Sequence, residues 1–143
     1  IAKAWDITDL DTLNAARNAE TVELERKLQA ESAVLVKNDG DLLPLSKDAK
    51  IYFDSTAAAE TKAAIIAALG EYADVKDNMT DADVVIADCT SYNDASEQVV
   101  EDAKEAGKKL VIVSNCVDPT TWAMQNGDAV LFMNFNRPAD HGT

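Results

Sequence analysis

After Lys50 the apolar residues come in short unbroken runs, IYF at 51–53, VVIA at 84–87 and LVIV at 110–113, and in a last stretch over 129–135 broken only at Asn134. Val/Ile runs without polar alternation mark strands covered on both faces, as in a parallel sheet. Between them lie an Ala-rich stretch over 57–69 closed by Gly70, a mixed-charge stretch over 96–106 ending at Gly107, and a short stretch over 120–125. Each of these predicts a helix. Residues 72–75 predict a further strand. The interval from Val75 to Val84 leaves no room for a crossover helix, so that strand lies at a sheet edge or its connection is a bare loop. Right-handed crossovers then give a three-layer α/β/α sandwich with a mostly parallel sheet of about five strands.

Upstream the period changes. Val22, Leu24, Leu28, Ala33, Leu35 and Val36 are interleaved with Glu20, Glu23, Glu25, Arg26 and Lys27, which predicts a helix over 14–36 that precedes the sandwich as a linker. Asn38, Asp39, Gly40 and Asp41 stop that helix, with Gly40 suited to the positive φ of a helix exit. Pro44 fixes the extended piece that follows. Residues 1–20 are polar and irregular, although Trp5, Leu10 and Leu13 suit a short amphipathic turn or helix. The chain thus divides into an N-terminal segment with its linker helix, 1–46, and an α/β domain, 47–143.

Composition narrows the partners. In 143 residues, 47% hydrophobic and 27% charged, a folded globule with a sizeable core is expected. A net charge of −13 repels phosphate backbones and anionic lipid, so neither nucleic acid nor a membrane surface is an expected partner. No apolar run approaches the roughly 18 residues of a membrane span. Ile1 to Asp6 lack the basic and apolar regions of a signal peptide, and an opening Ile is expected of a fragment, so the compartment, cytoplasmic or secreted, is left open. One histidine, His141, and two cysteines, Cys89 and Cys116, supply neither a Cys-rich zinc site nor a histidine pair, and no metal or cofactor is expected. A hydrolytic triad would have to use His141, two residues from the end.

Ligands of open α/β sheets collect at the carboxyl ends of the strands. There this chain carries Asp54-Ser55-Thr56, Asp88-Cys89-Thr90, Asn115-Cys116 and Asn134. Ser55, Thr56 and Thr61, opening a helix after the first strand, resemble the phosphate loop of flavodoxins, but Ala57, Ala58 and Ala59 replace its glycine and asparagine and Glu60 repels an anion. Cys89 and Cys116 each follow an apolar strand at a similar register. Neighbouring strands would bring them close enough for a disulfide, but the expectation is two partly buried thiols, and Asp88 and Asp118 beside them oppose a reactive thiolate. Asp94 and Glu97 follow the 84–87 strand. Asp94 is a general-acid candidate there or the cap of a helix starting near Ser96, and its spacing favours the cap. Trp122 and Met124 are expected to pack a short helix on the sheet.

The segment AESAVLVKNDGDLLPL, residues 30–45, resembles the interdomain join of glycoside hydrolase family 3. The order that follows is similar to that family too: KIYF at 50–53, DADVVI at 81–86, a helix, KKLVIV at 108–113 and GDAVL at 127–131, then a loop holding Gly142. The resemblance covers about residues 20–142. It implies the C-terminal sandwich, truncated, of a retaining β-glycosidase such as a β-glucosidase, packed on a (β/α)₈ barrel of the same polypeptide that carries the nucleophile. It further implies that the loop after the DADVVI strand lines the carbohydrate site and lends the acid/base carboxylate. On that loop Asp94 is the candidate acid/base and Glu97 the alternate, with Asp88 and Tyr92 as candidate substrate contacts. The family has Gly-Glu where this chain has Ala87-Asp88, and Asp94 is shorter than the glutamate usual there. Retaining hydrolysis needs two carboxylates about 5 Å apart, so the chain alone is expected to be inactive. Two other readings are a flavodoxin-like module for a phosphate-bearing cofactor and a sandwich that only scaffolds.

Overall fold

In a computed structural model, the structure describes residues 19–89, 94–115 and 121–133. The chain forms two compact units, Ile1–Ser32 and Ala33–Thr143. Of the first, the described part is helix α1, Ala19–Ser32, with a Lys27–Glu31 ion pair one turn apart and the Ser32 hydroxyl donating to the Gln29 carbonyl. The turn or helix expected around Trp5, Leu10 and Leu13 lies outside the described residues.

The second unit holds β1 (Ala33–Asn38), β2 (Lys50–Ser55), α2 (Ala59–Leu69), β3 (Asp74–Val75), β4 (Val84–Cys89), α3 (Asp94–Glu105), β5 (Lys109–Ser114), α4 (Thr121–Asn126) and β6 (Ala129–Met133). Among the described residues the strands make one six-stranded sheet in the order β1-β6-β5-β4-β2-β3. Every pairing is parallel except β1 with β6. This is the α/β sandwich expected from the apolar runs, with one strand more. Of the two alternatives left by the short 75–84 interval, β3 does lie at the sheet edge, and the interval contains only a 3₁₀ turn, Met79–Asp81.

The extra strand corrects the sequence reading. The helix expected over 14–36 ends at Ser32, and Ala33–Asn38 is extended and pairs antiparallel with Ala129–Met133. Two β-branched residues, Val34 and Val36, cost a helix little but favour a strand, and β6 offers an edge whose hydrogen bonds need a partner. A register shift between Leu35 and Lys37 bulges β1. The sheet of the second unit therefore includes residues that the sequence pattern assigns to the linker.

Apolar side chains fill both faces of the sheet. On one face Val85, Ala87, Cys89, Leu110, Ile112 and Val130 pack against Val100 and Ala103 of α3 and Ala123 of α4, with Trp122 and Met124 partly buried around them as expected. On the other, Ile51, Val84, Val111 and Ala129 meet Leu42, Leu43 and Leu45 of the β1–β2 connection and Leu69 of α2. That connection is closed by one side chain. Asn38 donates through Nδ2 to the Leu43 carbonyl and accepts the Leu43 N–H at Oδ1, each at 2.9 Å. Inside it Gly40 has φ 64°, the left-handed value its turn position demands.

The ends of α3 and α4 are also specified. Gly107, at φ 64°, donates to the Lys104 carbonyl at 3.0 Å and Lys108 to the Ala103 carbonyl at 2.9 Å, the paired bonds of a glycine helix stop. Lys37 of β1 donates to the Met124 and Gly127 carbonyls at 3.0 and 2.8 Å, placing a cation on the carboxyl end of α4.

Candidate functional site

The parallel strands β2, β4 and β5 end side by side, and their register decides which polar residues meet. Ser55 lies opposite Asp88 across β2 and β4, and Asp88 opposite Val113 across β4 and β5. Side chains alternate along a strand, so Ser55, Asp88 and Asn115 (two past Val113) all lie on one face.

Their side chains converge. The Ser55 hydroxyl donates to Asp88 Oδ2 at 2.7 Å, and Asn115 Nδ2 donates to Asp88 Oδ1. Ser55 Oγ in turn accepts the Ala57 N–H at 3.0 Å. The backbone repeats the pattern: Thr56 N–H donates to the Asp88 carbonyl at 3.3 Å and Asn115 N–H to the Cys89 carbonyl at 3.0 Å. Asp88 is only 6% exposed. Burial pushes its carboxyl above the usual carboxylate range, against the Ser55 and Asn115 hydrogen bonds, which pull it down.

Beside this network a small, open cleft is lined by Asp54, Ser55, Thr56, Ala87, Asp88, Cys89 and Val99. Lys62 of α2 makes an ion pair with Asp54. Two carboxylates and two hydroxyls line the cleft, and Asp54, Asp88 and Ser55 are already paired within the protein. They do not suit a phosphate. Thr61, the third hydroxyl of the flavodoxin-like reading, is exposed on α2 and is not in the lining. Among the described residues no cluster of His, Cys, Asp and Glu could hold a metal ion.

The two acid candidates are placed differently. Helix α3 begins at Asp94 itself, two residues before the start expected at Ser96, so Asp94 is its first residue. Glu97 is exposed one turn on and lies outside the cleft lining, to which α3 contributes Val99. Both positions put a negative charge at the amino end of a helix, where it is favoured. Tyr92, Thr90, Cys116, Asn134 and His141 lie outside the described residues, as do Asp118 and Gly142. Cys89 is a buried thiol, 1% exposed and more enclosed than the partly buried state expected of it. Reading the rim from the sequence as a set of polar strand ends does not pair Asn115 with Asp88. The signal is present in the three runs IYFDS, VVIAD and VIVSN, each closing an apolar strand with a polar side chain.

A parallel-sheet α/β sandwich with its polar cleft at the strand carboxyl ends defines the class of the molecule. Neither a protein-family model nor a curated protein sequence matches the chain. Solved structures do match. A β-glucosidase from Listeria innocua in complex with glucose superposes with a TM-score of 0.67 at 19% identity over 82% of this chain. An exo-1,3/1,4-β-glucanase from a Pseudoalteromonas species gives 0.63 at 13% over 81%, and a β-glucosidase from Chaetomella raphigera 0.57 at 13% over 82%. The matched region spans 23%, 27% and 26% of those three chains, about a quarter of each. At these identities the likeness is one of fold, and it agrees with the resemblance to glycoside hydrolase family 3 read from the sequence.

Proposed function

We propose that this chain is the C-terminal sandwich of a family 3 glycoside hydrolase, a retaining β-glycosidase whose nucleophile sits on a (β/α)₈ barrel of the same polypeptide. The observation that carries the reading is the joint occurrence of the AESAVLVKNDGDLLPL segment and a fold shared with β-glucosidases over most of the chain. In this role the strand carboxyl ends face a carbohydrate, and the segment from Asp88 to Glu97 contributes to the site. Asp94, at the start of α3, is the proposed general acid/base, with Glu97 as the alternate; Asp88 and Tyr92 are the proposed substrate contacts. One carboxylate from the sandwich and one from the barrel would make the pair that retention requires.

The test is turnover of a panel of chromogenic β-glycosides by the 143-residue chain and by a polypeptide extended upstream through the barrel. Turnover by the extended polypeptide alone is the expected result. Asp94→Asn in that polypeptide is expected to lower kcat about 100-fold or more, the scale of a lost general acid. If Asp94→Asn and Glu97→Gln both leave kcat unchanged, the sandwich lends no acid and only scaffolds. Turnover by the short chain would overturn the reading, because a complete catalytic pair would then lie within it.

A further inference from the structure

We infer that Asp88 is a positioning residue, a carboxylate clamp that holds the carboxyl ends of β2, β4 and β5 as one unit and so fixes the rim of the cleft. The geometry is specific. Asp88 sits on the middle strand of the three, and each carboxylate oxygen takes a hydrogen bond from a different neighbour: Oδ2 from Ser55 on β2, Oδ1 from Asn115 just past β5. Through Ser55 Oγ the chain of bonds reaches the Ala57 N–H, where the backbone turns toward α2. The main chain of Asp88 and Cys89 holds the same two neighbours by accepting from Thr56 and Asn115. The chain leaves these strand ends toward 56–58, 90–93 and 116–120, so one side chain secures the departure points of three connections.

An ionised carboxylate accepts at both oxygens, which lets it take Ser55 and Asn115 together. A protonated one has an O–H on one oxygen and keeps only one of the two bonds in its original sense. The clamp is therefore complete only when Asp88 is ionised. The other ionisable residues lining the cleft are Asp54, paired with Lys62, and Cys89, whose side chain packs in the core on the α3 face of the sheet; α3 adds the uncharged Val99. Asp54 is the neighbouring acid whose titration has to be separated from that of Asp88.

The experiment is an NMR pH titration of the 143-residue chain, following the Asn115 side-chain amide and the Ala57 backbone amide. Both signals should move together with one midpoint, above the usual carboxylate range. In Asp88→Asn neither should show that transition. In Ser55→Ala the Ala57 signal should lose it while Asn115 keeps it, so a poorly folded Asp88 variant still leaves a decisive comparison. Separate midpoints, or a shared transition that survives Asp88→Asn and disappears in Asp54→Asn, would overturn the clamp.

The consequence for turnover rests on the proposed glycosidase function. In the extended polypeptide, Asp88→Asn should lower kcat about tenfold, as expected when the acid is displaced. It should also remove from the kcat pH profile the limb that matches the amide titration. An unchanged profile would limit the clamp to the fold. If the extended polypeptide hydrolyses no β-glycoside, the functional reading fails while the amide titration still decides the clamp.

Discussion

Two side chains in this domain act well beyond their own elements, and both are polar. Lys37 is the cation of the KN pair in the family-like join, yet its ammonium is spent within the second unit, on the Met124 and Gly127 carbonyls and on Asp39 at 3.1 Å. Lys37→Met keeps the stem and removes the donors. It should cost about 1–2 kcal/mol in urea unfolding, because two carbonyls at a helix end lose a charged partner. Asp88 gives a prediction whose sign follows from linkage. Its carboxyl is raised in the folded state, so the folded protein binds that proton more readily than the unfolded chain. The charged group thus costs stability above its folded-state pKa, and the cost is relieved as pH falls through that value toward the ordinary aspartate range. Asp88→Asn cannot titrate there. The wild type should therefore gain stability relative to the variant as pH falls across that window, measured as the difference of two urea-denaturation series. A difference that is flat, or that runs the other way, would show that burial does not dominate at Asp88.

The elements were legible wherever pattern and local chemistry agreed. The apolar runs at 51–53, 84–87 and 110–113 became β2, β4 and β5, and Gly107 stopped α3 in the left-handed conformation that only glycine adopts freely. Gly107→Ala should destabilise the domain by about 1 kcal/mol, since no neighbour crowds the position and only the backbone strain counts. Gly127 contrasts with it. A Cβ there would lie 2.9 Å from the Ala129 carbonyl oxygen and 3.1–3.2 Å from Val130 and Ile112 side-chain atoms. Gly127→Ala should therefore cost more than Gly107→Ala, about 1–3 kcal/mol, by overpacking. Comparing the two midpoints of urea unfolding tests this ordering. The boundary at Ser32 was not legible, because Val34, Leu35 and Val36 continue the apolar spacing of the preceding helix, and what makes them a strand is β6, about 95 residues away in sequence. The candidate site was half legible for the same reason. That Ser55, Asp88 and Asn115 end strands could be read from three short runs, but their meeting on one face depends on registers that no single run contains.

At the scale of the whole molecule, the question is where the folding unit begins. The sequence pattern puts a boundary near residue 46, before the first parallel strand, whereas the compact unit begins at Ala33. The difference is β1 and the connection after it. β1 covers the open edge of β6, while Leu42, Leu43 and Leu45 lie on Ile51, Val84, Val111 and Ala129. Asn38 locks that connection shut and Lys37 ties it to α4. The join-like segment is therefore a structural part of the sandwich, and its dense local specification answers to the sheet it completes. A chain beginning at Ala33 retains all six strands; one beginning at Lys47 exposes the edge of β6 and the apolar face beneath residues 42–45. Burying such a face contributes about 25 cal/mol per Å², and domains of this size have only about 5–15 kcal/mol to lose. The shorter chain should consequently fail to unfold cooperatively or bind a hydrophobic dye in the absence of denaturant, while the longer one gives a single sigmoidal transition. Equal stability of the two would return β1 to the linker and remove it from the sandwich.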